Sequence, residues 1–192
     1  MSGHAHDAHT EPKKAEIKSN FPKSFIIIIV LILGAMVYYS SYTRPENTVL
    51  NYFDSISKQD YTATADCLSV FVMAMQLPEY ASPSITGKEL LALRSEVVEA
   101  YASHLAGNSL SSSDAIVKPI KQYTKIGRNA AIVVFDLTFE EQNPTLIAHL
   151  IKEANKFRII DIYEIENSAA FREEIDRVDI NKLDQEAAAL YK

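Results

Sequence analysis

The chain has 192 residues, with 19 Lys and Arg against 25 Asp and Glu, giving a formal net charge of −6. That balance argues against nucleic-acid binding, which asks for a basic footprint. The single cysteine, Cys67, excludes an internal disulfide, and five glycines leave no Gly-rich phosphate loop.

Residues 1–24 are small and polar, with Pro12 and Pro22 and little to bury, so they are expected to be a disordered tail. His4, His6 and His9 lie close together there around Asp7. Imidazoles so spaced are candidate transition-metal ligands. The plainer reading is a soluble tail whose histidines have no shared role.

Residues 25–39 carry no charge. Extended to Phe21 and Tyr42, the run reaches the roughly 20 apolar residues that a helix needs to cross a bilayer. A transmembrane helix is therefore expected over 25–42, with the lipid bilayer as its partner. Tyr38, Tyr39 and Tyr42 suit the interfacial belt, and no small-residue cleavage site follows the run, which sets an uncleaved anchor against its rival, a signal peptide. Lys13, Lys14, Lys18 and Lys23 precede the run and only Arg44 follows it closely. The positive side stays inside. The expected location is the inner (cytoplasmic) membrane, with a cytoplasmic N-terminus and a periplasmic or extracellular C-terminal part. Beyond residue 24 the chain keeps 15 basic and 22 acidic groups, which offers no polybasic patch to anionic lipid.

The remainder is long enough for one domain with a core. Arg44-Pro45-Glu46 opens a helix, because proline suits the first turn and glutamate the positive helix end. Val49, Leu50, Phe53 and Ile56 recur at helical spacing. Asp60 is placed to cap a second helix with Tyr61, Ala65, Leu68 and Phe71 on its apolar face. Cys67 falls in this pattern and is expected to be a buried, inert thiol. Pro78 and Pro83 mark a linker. Thr86 with Glu89 is a capping-box signal for a helix running to about His104, where the imidazole meets terminal carbonyls or water, and Gly107-Asn108 ends it.

From Ala115 the period changes to two. Strands are expected near 115–125, 130–141, 145–153 and 157–165, joined by turn-like residues at 127–129, 142–144 and 154–156. Connections this short imply an antiparallel meander. After Asn167 the pattern is helical again, with Phe171, Ile175 and Val178 on one apolar edge and Leu183, Ala187 and Leu190 on another. This stretch, 167–192, reads as an amphipathic extension that docks on the domain or offers a partner its anchors.

The order of helices followed by an antiparallel sheet resembles the nuclear transport factor 2-like superfamily. Residues 48–69 (TVLNYFDSISKQDYTATADCLS) resemble its opening pair of helices, residues 125–134 (KIGRNAAIVV) its second strand entry, and residues 151–161 (IKEANKFRIID) its closing hairpin. Phe157 stands where that family has tryptophan, and Asn155 where glycine is common. The resemblance covers residues 45–166. It implies an α+β fold, a cone of three helices packed on a curved antiparallel sheet, often dimeric and often with a pocket. In this chain the cone would follow an N-terminal transmembrane helix and precede a C-terminal helical extension. The superfamily holds both enzymes and non-catalytic modules, so fold alone does not supply function.

Cross-strand geometry offers the chemistry. Setting Glu141 opposite Pro144 pairs Asp136 with His149, and setting Glu153 opposite Phe157 pairs His149 with Asp161. Two carboxylates would then flank His149 in one row and tune it as a general base. Tyr123, Thr138 and Tyr163 would neighbour this row and line a pocket or a subunit contact. Val133, Phe135, Leu137 and Phe139 with Ala148 and Leu150 would form the core face, which leaves the polar row as a surface feature in the plainer reading.

Two functions follow. The first is a membrane-anchored, non-catalytic extracytoplasmic module for protein–protein assembly or small apolar ligand binding in the cell envelope, with a second copy or an envelope protein as partner. The second is a small isomerase- or hydrolase-like enzyme using His149 with Asp136 or Asp161. Neither calls for a cofactor.

Overall fold

The computed structural model describes residues 27, 30–33, 44–108, 115–139, 142–166 and 169–191. The chain divides into two units, Met1–Val37 and Tyr38–Lys192. Of the first, Ile27 and residues 30–33 are helical and exposed. Among the described residues no helix is long and apolar enough to cross a membrane. Most of the expected span at 25–42 lies outside the described residues, as do the tail 1–24 and its His4, His6 and His9.

The second unit is α+β. Helix α1 (Pro45–Ser57) begins on Pro45 with Glu46 in its first turn. The chain reverses at Gln59, whose φ is 55°. Asp60 then accepts the amide of Ala63 and starts α2 (Tyr61–Cys67). The second helix expected from the sequence is two helices. Leu68 leaves the helix to bridge Ile159, and Ser69 caps α3 (Val70–Gln76) by accepting from the Phe71 amide. Thr86 and Glu89 form the expected capping box at α4 (Gly87–Ala92). The helix breaks at Leu93, and α5 (Arg94–Gly107) continues to the Asn108 cap.

A five-stranded antiparallel sheet follows: β1 (Ile116–Pro119), β2 (Lys125–Ile126), β3 (Ala130–Thr138), β4 (Thr145–Glu153) and β5 (Lys156–Ile165). The path runs β1-β3-β4-β5, with β2 also on β3. The first expected strand is interrupted by a 3-10 turn at Lys121–Tyr123. Two helices close the chain, α6 (Ala169–Arg177) and α7 (Ile180–Ala189).

One sheet face carries the expected core. Val133, Phe135, Ala148 and Leu150 pack against Val49, Val70, Met73 and Val97 from the helices, and Leu137 joins them. Full burial of side chains of this size stabilises by roughly 1.5–3 kcal/mol each. A charged cluster ties the helices to the sheet. Glu153, fully buried, accepts from the Ser69 hydroxyl at 2.6 Å and from the Val70 amide at 3.1 Å, and it pairs with Arg94. Arg94 also donates to the Leu68 carbonyl, and Asp66 pairs with both Arg94 and Arg158. Burial raises the Glu153 carboxyl above its usual range, against the pull of Ser69, Arg94, Val70 and Arg158. Cys67 is buried in this region, and desolvation pushes its thiol up to about 11, so it stays protonated.

The second face is also covered. Ile132, Val134 and Ile147 pack against Ile175 of α6, and Ala130 and Ile151 pack against Ala187 of α7. The C-terminal helices therefore belong to the compact unit, and on this face His149 is half-buried while Asp161 and Tyr163 stay exposed.

A candidate ligand cavity beneath the last helix

Two turns and a bulge decide what surrounds His149. The β3–β4 hairpin turns earlier than the sequence suggests, because Phe139 pairs with Gln142 and only two residues separate them. Against the expected Glu141–Pro144 register, every partner on β3 moves by four residues. An even slip keeps the faces but changes the neighbours. His149 consequently sits opposite Ile132, while Asp136 faces Thr145 and accepts its hydroxyl at 2.8 Å. The pairing of Asp136 with His149 is corrected accordingly.

On the other side the expected pair forms, by an unexpected route. Ala154 and Asn155 both have positive φ, 46° and 68°, the requirement of a type I′ two-residue turn. That turn sets Glu153 opposite Lys156 and Leu150 opposite Ile159. The register then shifts between Leu150 and His149, so that His149 faces Asp161 and Ile160 is the extra residue. Bulges re-aim side chains in this way. Here the bulge turns Ile160 toward the second face beside Asp161.

Tyr163 follows two residues later. Its hydroxyl lies 3.3 Å from His149 Nε2, and the two rings meet edge-on at 5.4 Å. Desolvation lowers the His149 pKa below 6.5, and Asp161 opposes the shift without cancelling it. The imidazole is therefore neutral at neutral pH, a hydrogen-bonding group without a charge.

Beside His149 the sheet and α7 border a partly open cavity of about 150 Å³. β3 supplies Ala130 and Ala131, β4 supplies Leu150 and Ile151 with His149, and the bulge supplies Ile160. α7 supplies Leu183, Ala187 and Leu190, with Glu186 as its polar member. Those α7 positions recur at helical spacing, so a single stripe forms the wall. Eight of the ten lining residues are aliphatic. A mainly aliphatic pocket of this volume has room for a benzene-sized guest.

The wall is held by Asp184, one turn before Ala187. Its carboxylate accepts the amides of Arg128 at 2.7 Å and of Asn129 and Ala130 at 2.8 Å. Partial burial pushes this carboxyl up, but the three amides and the Arg128 charge outweigh it and hold the group below its usual range. Gly127 permits the approach, since a Cβ there would run into the Asp184 carboxylate. At the other end the Tyr191 hydroxyl donates to the Lys152 carbonyl at 3.3 Å, and Leu190 abuts Gly87 of α4.

Of the residues named from sequence, His149 lines the cavity, and Asp161 and Tyr163 adjoin His149. Asp136 lies four residues along β3 from the partner of His149. Thr138 pairs with Ile116 at the far end of the sheet. Tyr123 packs into the cluster of Ile132, Val134, Ile147 and Ile175. Sequence reasoning missed the α7 wall. A signal was present: residues 130–135 are apolar without alternation, the pattern of a strand buried on both faces. Something had to cover the second face, and the apolar edge at Leu183, Ala187 and Leu190 was the available stripe. Among the described residues no group of three or more His, Cys, Asp or Glu could hold a metal ion.

No family model matches the chain, and no curated protein matches it. Among solved structures, that of a phospholipid-binding protein from Ralstonia solanacearum, in complex with a phospholipid, is similar over 77% of this chain and 96% of that one, at 15% identity and a TM-score of 0.34. A likeness this loose fixes neither the fold nor a ligand for this chain.

Proposed function

We propose that this protein is a membrane-anchored, non-catalytic module of the cell envelope that binds a small apolar ligand between its sheet and its last helix. The cavity beneath α7 carries the reading: eight aliphatic residues line a partly open space of about 150 Å³, with His149 and Glu186 as its polar members. Ligand sites are mostly apolar with a few placed polar groups. Anchoring through residues 25–42, with the folded unit outside the cytoplasm, rests on the uncharged run and the lysines before it. Membership of the nuclear transport factor 2-like superfamily belongs to the same proposal and draws on the order of helices and antiparallel strands. A second copy or an envelope protein is the proposed partner.

Fluorobenzene tests the binding reading, read by 19F NMR with the full chain in lipid nanodiscs. A guest of this size is expected to bind with Kd on the order of 1 mM, about −4 kcal/mol. Ala187→Leu, which fills the cavity, should return the signal to that of empty nanodiscs. A spectrum unaltered by that substitution would remove the reading. Alkaline carbonate washing tests the anchor: the chain should stay with the membrane, and its release would contradict a spanning segment.

A hydrolase- or isomerase-like reading draws on one observation, the neutral His149 held between Asp161 and Tyr163 at the cavity edge. In that reading His149 is a general base, and Asp136 has no part.

A further inference from the structure

We propose that α7 is a hinged lid over the cavity and that Asp184 is its latch. The inference rests on the binding reading above and adds the route by which a ligand enters. One side of the cavity is sheet: β3 pairs with β4 without a break, and β4 pairs with β5 on either side of the bulge at Ile160. A strand cannot leave such a ladder without breaking a row of hydrogen bonds. The other side, α7, is bound to the sheet by no ladder. Side chains hold it.

Those side-chain ties are few and concentrated. At its middle α7 is fixed by the Asp184 carboxylate in the three amides of Arg128, Asn129 and Ala130. Near its end it is fixed by Tyr191 on the Lys152 carbonyl. The remaining contacts are apolar: Leu183 and Ala187 pack on Ala130 and Ile151, and the Tyr191 ring meets Phe71 at 5.5 Å. Lys125 separately holds the preceding turn, donating to the carbonyls of Asp176 and Val178. This places a hinge before α7. Asp179 caps the helix itself, so α7 keeps its own start when it swings.

The latch couples to the cavity through Ala130. Its amide is one of the three donors to Asp184, and its side chain lines the cavity floor. Hydrogen bonds to a charged group are the stronger kind, and a carboxylate in three amides is the largest single tie on α7. Gly127 makes room for it. Removing the charge or crowding the turn should therefore raise the population in which α7 has swung away from the sheet, while leaving the docked arrangement unchanged.

The test uses the full chain in nanodiscs and two variants that strike the latch from opposite sides. Asp184→Asn removes the charge from α7, and Gly127→Ala places a Cβ against the carboxylate from the turn. Hydrogen exchange without ligand should show the amides of α7 opening on the order of tenfold faster in each variant, with β3, β4 and β5 unchanged. Fluorobenzene on- and off-rates from 19F exchange spectroscopy should rise together by a similar factor, with Kd shifting by less than about twofold. Unchanged exchange in α7 would overturn the latch. Faster exchange in α7 with unchanged ligand rates would overturn the lid as the route of entry. Absence of fluorobenzene binding to the unmodified chain would remove the cavity reading and the gating with it, while the α7 exchange would still decide whether Asp184 is a latch.

Discussion

His149 illustrates how a residue can be right and its surroundings wrong. The sequence marks it as a histidine on a strand between acidic neighbours, and one of those neighbours, Asp161, is indeed across from it. The other, Asp136, is removed by a turn that residue types alone do not locate. What governs His149 is burial, which the sequence does not display at a single position. Because its folded pKa is lowered below 6.5, the unfolded chain takes up the proton first as pH falls. The stability it contributes is fully present above 6.5 and is lost on acidification through the lowered value. His149→Gln should therefore flatten the pH dependence of the urea midpoint between about pH 7 and pH 5. An unaltered profile would mean that other groups set it. Arg94 is the second decisive residue. It faces a carboxylate that has no exposure to water, so Arg94→Met leaves Glu153 buried without its cation. The expected cost is about 3–5 kcal/mol in denaturant unfolding. A loss below about 1 kcal/mol, the scale of a surface pair, would show that Ser69 and Val70 suffice for Glu153.

Elements were legible where local chemistry is strong. Pro45 and Glu46, Asp60, the Thr86–Glu89 box and Asn108 mark helix ends as their side chains suggest. Helix breaks at Leu68 and Leu93 were not legible, because both are apolar positions in an unbroken helical stripe and tertiary contacts interrupt it. Leu68 is drawn away by Ile159. The bulge at Ile160 was equally hidden: an isoleucine pair carries no mark of an extra residue, and only the mismatch between the turn and the His149–Asp161 pair reveals it. α7 shows the converse, since its stripe was visible but its seat was not. Deleting residues 169–192 would expose Ile132, Val134, Ile147 and Ile151, a contiguous apolar face of the kind that drives association. The truncated chain should aggregate or oligomerise in size-exclusion chromatography. A well-behaved monomer would show that α6 and α7 are dispensable to the folded unit.

The folded unit is built around a sheet covered on both faces. α1 to α5 pack one face tightly, with Val133 and Phe135 fully buried. The cone pocket implied by the family resemblance would lie on that side. The cavity instead lies on the opposite face, where two short helices cover a broad sheet and α7 bridges from the turn at Arg128 and Asn129 to Gly87. Two covering helices fill a face less completely than five, and the space left is apolar because its walls are strand interiors. The most direct measurement is a crystal of the full chain soaked with bromobenzene, read by the anomalous scattering of bromine. The account expects one bromine peak between Ile151, Ile160 and Ala187, absent from Ala187→Leu crystals. Occupancy confined to the helix-covered face around Met73 and Phe135, or no ordered bromine at all, would contradict it.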